Sequence, residues 1–323
     1  MKIALILPYF GKFDKLFPIW LHSCRCNPDI DWIVFTDDKS CYDYPDNVKV
    51  HYINFETMRE HFQSFYDFKI SLDTPYRLCN FKPAYGEVFA DYIKGYDAWG
   101  FCDNDMIYGD IVQNIPIINS DKFKIGGFGH LTILPNTEEC IRLYRYADAY
   151  KIAFSTPQPL FFDENTFVKI LEKNGYHEMP LHIADLKPRI RHFHILNNNN
   201  YKGQCFVWHN GILKRYYCEE GKDIKQEDYT YIHFLKRPMI VADDIEIDKP
   251  IIIIPNKLFN SSLDEISSDF LFTSNKSGLF FSYWKNSLKP KNLYRRIINR
   301  LYQNKINDYL ISKMNSLVDG RIS

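Results

Sequence analysis

The chain has 323 residues, enough for one large α/β domain with an appendage or for two small domains, and therefore for a substantial buried core. Its 40 basic and 40 acidic residues cancel, and neither half is dominated by one sign, which removes the electrostatic basis for binding duplex nucleic acid. A small or neutral partner is expected instead.

Phe and Tyr, at 25 and 23 residues, far outnumber the 5 Trp, and such rings either fill a core or stack on sugars and nucleobases. The eight cysteines lack the Cys-x-x-Cys spacing of a structural zinc site or a redox motif, so they read as reduced cytosolic thiols. The opening run Ile3-Ala4-Leu5-Ile6-Leu7 is cut by Pro8, Lys12 and Asp14 before it reaches the length of a signal segment, and it reads as a strand. No stretch approaches the ~18 apolar residues of a membrane-spanning helix. A cytoplasmic protein, at most peripheral at the inner face of the membrane, is expected.

Ile3 to Leu7 is continuously apolar and ends at Pro8 and Gly11, the pattern of a strand buried on both faces. A helix through Phe17, Ile19, Trp20 and Leu21 and a second strand over Asp31 to Phe35, ending in acids, complete a β-α-β opening. Phe81, Tyr85, Val88, Phe89, Tyr92 and Ile93 recur at helical spacing, with Pro83 in the expected first turn and Gly95 as the stop. Ala98 to Cys102 is a short apolar strand that delivers Asp103-Asn104-Asp105 at its carboxyl end, where open α/β sheets place their ligands. A further helix is expected near Asp163-Glu164. After Ile251 to Pro255 a Ser/Asn-rich connection leads to a terminal stretch with Lys285, Lys289, Lys291, Arg295, Arg296, Arg300 and Lys305, and a boundary is placed near residue 256.

Two carboxylates one residue apart at the end of a strand can approach a single Mg²⁺ or Mn²⁺ while a diphosphate supplies further oxygens. The segment from Tyr96 to Asp110 around that triplet, the preceding Phe81-Lys82-Pro83-Ala84-Tyr85-Gly86 and the opening Leu7-Pro8-Tyr9-Phe10-Gly11-Lys12 resemble, in this order, bacterial glycosyltransferases of the GT-A fold and the capsular-polysaccharide type. The resemblance covers about the first 250 residues. It implies a Rossmann-type mixed sheet flanked by helices over residues 1–255, to which the change in composition adds a basic, largely helical extension over 256–323. It further implies transfer of a hexosyl or related sugar from a nucleotide-diphosphate sugar, most commonly a UDP-sugar, to a saccharide or lipid-linked saccharide in surface polysaccharide synthesis.

On that resemblance Pro8, Tyr9 and Phe10 cradle the base, Thr36 and Asp37 hold base or ribose, and Asn104 lies between the metal-binding acids Asp103 and Asp105. Lys82 either reaches the phosphates or is a solvated lysine. The stretch Tyr231 to Pro238 looks like the late segment that supplies a third metal ligand, His233, and phosphate-binding cations, Lys236 or Arg237. Gly126-Gly127-Phe128-Gly129-His130 either lines the donor-sugar and acceptor pocket, through Gly129 and His130, or is a glycine turn between strands. Asp163 and Glu164 either serve as the catalytic carboxylates, deprotonating an acceptor hydroxyl or holding donor-sugar hydroxyls, or cap the following helix. The Arg189 to His194 cluster reads as acceptor-side surface in preference to a second metal site, since Asn197 to Asn200 follow as a polar loop, and the basic terminal stretch as a membrane-lying or a packed helix. Two other functions fit the same residues: a sugar nucleotidyltransferase, disfavoured because Tyr9 to Phe13 has a single glycine and a single lysine for a triphosphate, and a non-catalytic carbohydrate-binding protein.

Overall fold

The computed structural model describes residues 1–127, 129–185, 203–234, 239–254, 257–274 and 305–321. β1 (Ile3–Tyr9), α1 (Phe17–Arg25), β2 (Ile30–Thr36), β3 (Val48–Tyr52) and α2 (Phe55–Gln63) open the chain. A 3₁₀ stretch, Pro75–Ala84, leads into the single turn α3 (Tyr85–Val88), then β4 (Ala98–Cys102) and β5 (Met106–Tyr108). Next come β6 (Phe123–Gly127), β7 (Leu131–Pro135), α4 (Glu138–Arg142), α5 (Ala149–Ser155), α6 (Thr166–Lys173), β8 (His177–Met179) and β9 (Ile183–Asp185). The later half carries β10 (Gln204–His209), β11 (Ile212–Tyr217), β12 (Lys225–Tyr229), β13 (Tyr231–His233), β14 (Ile240–Val241), β15 (Ile251–Ile254), β16 (Lys257–Asn260) and α7 (Ser268–Thr273), and residues 305–318 are helical.

Three sheets result. The largest runs β3-β2-β1-β4-β7-β6-β8, with β3, β2, β1 and β4 mutually parallel and β7 antiparallel to β4. A second runs β12-β11-β10-β15-β16-β14, and a three-stranded ladder, β5-β13-β9, completes the set. The protein is thus a mixed α/β structure with parallel and antiparallel strands flanked by helices, as the sequence led one to expect. The period of two explains the central strands. Ala4 and Ile6 of β1 enter one core with Ile33 and Phe35 of β2, while Ile3, Leu5 and Leu7 enter the core on the opposite face with Trp32 and Val34. A strand so covered has no polar positions to alternate with.

α1 lies between the first two sheets. Its Phe17 and Trp20 face the second of those cores, while Ile19 joins Phe206, Trp208, Ile251 and Ile253 of the second sheet. The Trp208 indole donates to the Tyr108 carbonyl at 2.6 Å, tying β10 to β5. The C-terminal helix packs Met314 and Val318, both buried, into the first core, and Thr166 of α6 meets Asn315 at 3.1 Å. Among the described residues no helix is long and apolar enough to cross a membrane.

One sequence expectation needs correction. The helical spacing from Phe81 to Ile93 marks a buried face, since Phe81, Tyr85, Val88, Phe89 and Ile93 all enter the first core, but no continuous α-helix spans it. Pro83 sits inside the 3₁₀ stretch rather than in a first helical turn, and a proline there removes a donor from the ladder. Gly86 also lies against Trp99, where a Cβ would come within 2.6 Å of the ring. The helix expected near Asp163-Glu164 is present as α6, beginning at Thr166 with Asn165 as its N-cap residue.

Gly100 of β4 shows how tightly the main sheet is closed beside the acidic triplet, because a Cβ there would meet the Thr132 carbonyl oxygen at 2.1 Å. Backbone cannot step aside as a side chain can, so Gly100→Ala is expected to destabilise the protein by about 3 kcal/mol, at the upper end of overpacking effects. Urea unfolding followed by circular dichroism checks this, and a variant as stable as the parent would show that β4 and β7 are less closely apposed.

Candidate functional site

β4 stops at Cys102 and the chain turns through Asp103-Asn104-Asp105 into β5, which pairs antiparallel with β13 so that His233 stands opposite Met106. The Phe234 amide donates to the Asp105 carbonyl at 2.8 Å and extends the register to the acid itself. One ligand atom from each of Asp103, Asp105 and His233 lies within 4.8 Å of the others, and His233 Nε2 is 3.4 Å from Asp105 Oδ1. Donors about 2.1 Å from a Mg²⁺ or Mn²⁺ ion are about 3 Å apart when adjacent and about 4.2 Å apart when opposite. The three, within 4.8 Å of one another, could therefore hold one hard divalent ion, and two carboxylates with one imidazole suit that choice.

The histidine is held from behind. Its ring stacks on that of His130 with centroids 4.2 Å apart, and His130 Nδ1 is 3.1 Å from the Tyr231 hydroxyl. The His130 carbonyl accepts from the Asp103 amide at 2.9 Å, so the turn after Gly129 and the acidic triplet are fixed to each other. Such outer partners orient metal-binding side chains.

Lys82 is buried in this acidic surrounding. Its ammonium donates to Asp103 Oδ1 and to the Gly129 carbonyl, each at 2.7 Å, and stands 4.0 Å from Asp163 Oδ2. Burial alone would lower its pKa, but Asp103 and Asp163 hold it above the ordinary lysine value. Asp163 is pushed up to about 7, first by burial and further by Glu164 and Asp103, against the pull of Lys82. Its Oδ1 is buried and has no hydrogen-bond partner among the described residues. The exposed Glu164 lies beside it over the Gly129 turn, where φ is +71° and a Cβ would come within 2.5 Å of Asp163 Oδ2 and 2.8 Å of Glu164 Oε1. Only glycine allows that approach.

The loop after β1 borders the triplet on the other side. The Tyr9 hydroxyl, close to Asn104, donates to the Lys12 carbonyl at 3.2 Å, and burial, more than the nearby Asp14, raises its phenol. Asp37 Oδ1 accepts from the Gly11 amide at 2.7 Å, where φ is +101°, and Asp38 accepts from the Phe13 amide, the Ser40 amide and the Tyr42 hydroxyl. Burial would raise Asp38, but these hydrogen bonds bring it down to about 2.

The structure therefore gathers Tyr9, Lys82, Asp103, Asn104, Asp105, Gly129, His130, Asp163, Glu164 and His233 into one neighbourhood. Lys82 is not a solvated side chain, and Asp163 and Glu164 precede the N-cap residue of α6, Asn165, whose own side chain makes no cap. Pro8 continues β1 at the rim, Phe10 turns onto Phe55, with ring centroids 5.3 Å apart, and Thr36 is buried with its hydroxyl accepting from the Asp38 amide. Thr36 and Asp37 thus shape the loop from its flank. Lys236 and Arg237, and the cluster from Arg189 to His194, lie outside the described residues. Tyr231 and Asp38 escaped the sequence reading. Their only signal was position, one two residues before His233 and the other in the acid pair closing β2.

Asp163 gives a signed pH effect in EDTA. Its carboxyl binds a proton in the folded state up to about pH 7, against an ordinary value of 3.8, so the stability it contributes is full below that ordinary value and is lost as pH rises to about 7. Asn cannot ionise. The melting temperature of Asp163→Asn minus that of the parent is expected to climb between pH 4 and 7 and then level, whereas a flat difference would mean that Asp163 titrates as an ordinary carboxylate.

No curated protein matches the chain. The model of a family of unknown function, DUF6625, matches residues 5–262, most of the chain, and the protein belongs to that family.

Proposed function

We propose that the protein is a metal-dependent glycosyltransferase that uses a nucleotide-diphosphate sugar, with a UDP-sugar as the first candidate and a saccharide or lipid-linked saccharide of a surface polysaccharide as acceptor. One observation carries this reading: two carboxylates and an imidazole converge at the carboxyl end of β4, beside the loop that leaves β1. In the order β3-β2-β1-β4 the chain winds outward from β1 to β3 and crosses back to β4, so β1 and β4 flank the topological switch point. Open parallel sheets bind their ligands in the crevice outside that point. A nucleotide laid against the β1 loop would bring its diphosphate to Asp103, Asp105 and His233.

A divalent cation held by those three residues would neutralise charge on the departing diphosphate. Lys82 fixes Asp103 and the Gly129 turn and adds a buried positive charge behind them, which favours the same charge development. Asp163, poised near neutrality, is the group of the site best matched to taking a proton from an acceptor hydroxyl, and its unpartnered Oδ1 offers the accepting atom. Glu164, exposed beside it, is placed for hydrogen bonds to sugar hydroxyls. Rate enhancement would then come chiefly from positioning and electrostatics.

The test is consumption of UDP- and GDP-sugars with Mn²⁺ or Mg²⁺, read as released nucleoside diphosphate. The parent is expected to turn over one donor class, and Asp105→Ala, if folded as the parent is, to lose about a hundredfold or more. A parent that consumes no nucleotide sugar, or an Asp105→Ala variant that retains full activity, would refute the proposal.

A further inference from the structure

The segment that brings Asp163 to Lys82 contains a backbone anomaly that the site described above does not use. Phe161 has φ +49°, in the left-handed region that bulky side chains avoid. Of the four described non-glycine residues with positive φ, it alone is aromatic. Burial does not account for the choice of a phenyl ring there, because Phe161 remains 38% exposed while its neighbours Leu160 and Phe162 are fully buried.

The conformation is imposed from both sides. Asn80, itself buried, accepts from the Leu160 amide at 2.9 Å and from the Phe161 amide at 3.1 Å, and its side-chain nitrogen donates to the Ala153 carbonyl at 3.0 Å. The Phe161 carbonyl accepts from the Glu164 and Asn165 amides, each at 3.1 Å, and from the Asn165 side chain at 3.0 Å. The turn so fixed is the one whose Asp163 and Glu164 touch Gly129. Backbone strain maintained around an exposed apolar side chain at the edge of a site calls for a functional reason.

We infer that Phe161 is a specificity-determining platform on which the acceptor sugar lays the apolar C–H face of a pyranose ring. The inference rests on the proposed glycosyl transfer for the word acceptor, but the contact itself needs only a saccharide. An aromatic face supplies a large, rigid, apolar area with few rotatable bonds, which suits a ring with one apolar face and a hydroxyl-bearing rim. Hydroxyls at that rim would meet Asp163 and Glu164, two and three residues further on.

Saturation-transfer NMR in EDTA, without nucleotide, tests this with the methyl α- and β-glycosides of glucose, galactose, mannose and N-acetylglucosamine. The parent is expected to bind at least one of them, Phe161→Ala to bind it about tenfold more weakly, and Phe161→Trp to retain binding. Phe161→Gly separates function from structure. It is expected to melt about 2 °C above Phe161→Ala, because glycine accepts the positive φ, and yet to bind no better. If no glycoside binds the parent, or Phe161→Ala binds as the parent does, the inference is overturned. Failure of the nucleotide-sugar assay alongside Phe161-dependent glycoside binding would instead remove the transferase reading and leave the platform standing.

Discussion

The antiparallel pairing of β5 with β13 is the contact on which the candidate site depends. Asp103 and Asp105 come with the end of β4, but His233 arrives from the far half of the chain, and only the register that sets it opposite Met106 puts its Nε2 within 3.4 Å of Asp105. A slip of one residue would turn every side chain of β13 to the other face. The register is secured by burial. Ile107 and Ile232 face Phe206, Trp208 and Ile253 in the core under α1, while Tyr231 faces Met106 and Tyr108 in the adjoining one. The indole bond from Trp208 to Tyr108 fastens the second sheet to the same ladder. That sheet thereby serves the site without contributing a described site residue.

The electrostatics follow from that geometry. Asp103 and Asp163 converge on one buried ammonium and Asp105 lies beside Asp103, so the neighbourhood is acidic even with Lys82 in place. A buried cation survives only when paired, and Lys82 is paired twice over, to Asp103 and to the Gly129 carbonyl. Burial raises Asp163, and the neighbouring Glu164 and Asp103 raise it further against the pull of Lys82. Asp103, which adds to the rise of Asp163, is also one of the acids that could hold a divalent cation.

The sequence carried the opening of the fold well, because a strand buried on both faces cannot disguise itself: β1 and β2 read directly from continuous apolar runs, and β4 was legible to the residue. The segment from Phe81 to Ile93 was harder, since a 3₁₀ stretch and a single α turn bury nearly the same face as a helix. For the site, an acidic triplet at a strand end and a histidine beside cationic residues were visible as separate signals. Their union came only through the family resemblance, because from the residues alone it depends on strand register between distant segments. Lys82 lay on the boundary of legibility: its chemistry was evident, but whether it was solvated was decided only by the approach of Gly129 and Asp163. Tyr231 and Asp38 act through hydrogen bonds that no local pattern announces.

The central claim is that Asp103, Asp105 and His233 form one cation site. It is tested most directly by titrating the metal-free protein with Mn²⁺ and following the free-ion electron paramagnetic resonance signal. One Mn²⁺ per chain is expected, with His233→Ala weakening the site by about tenfold or more, in line with loss of one ligand or its support. A His233→Ala protein that binds Mn²⁺ as tightly as the parent, or a parent that binds none, would contradict the account.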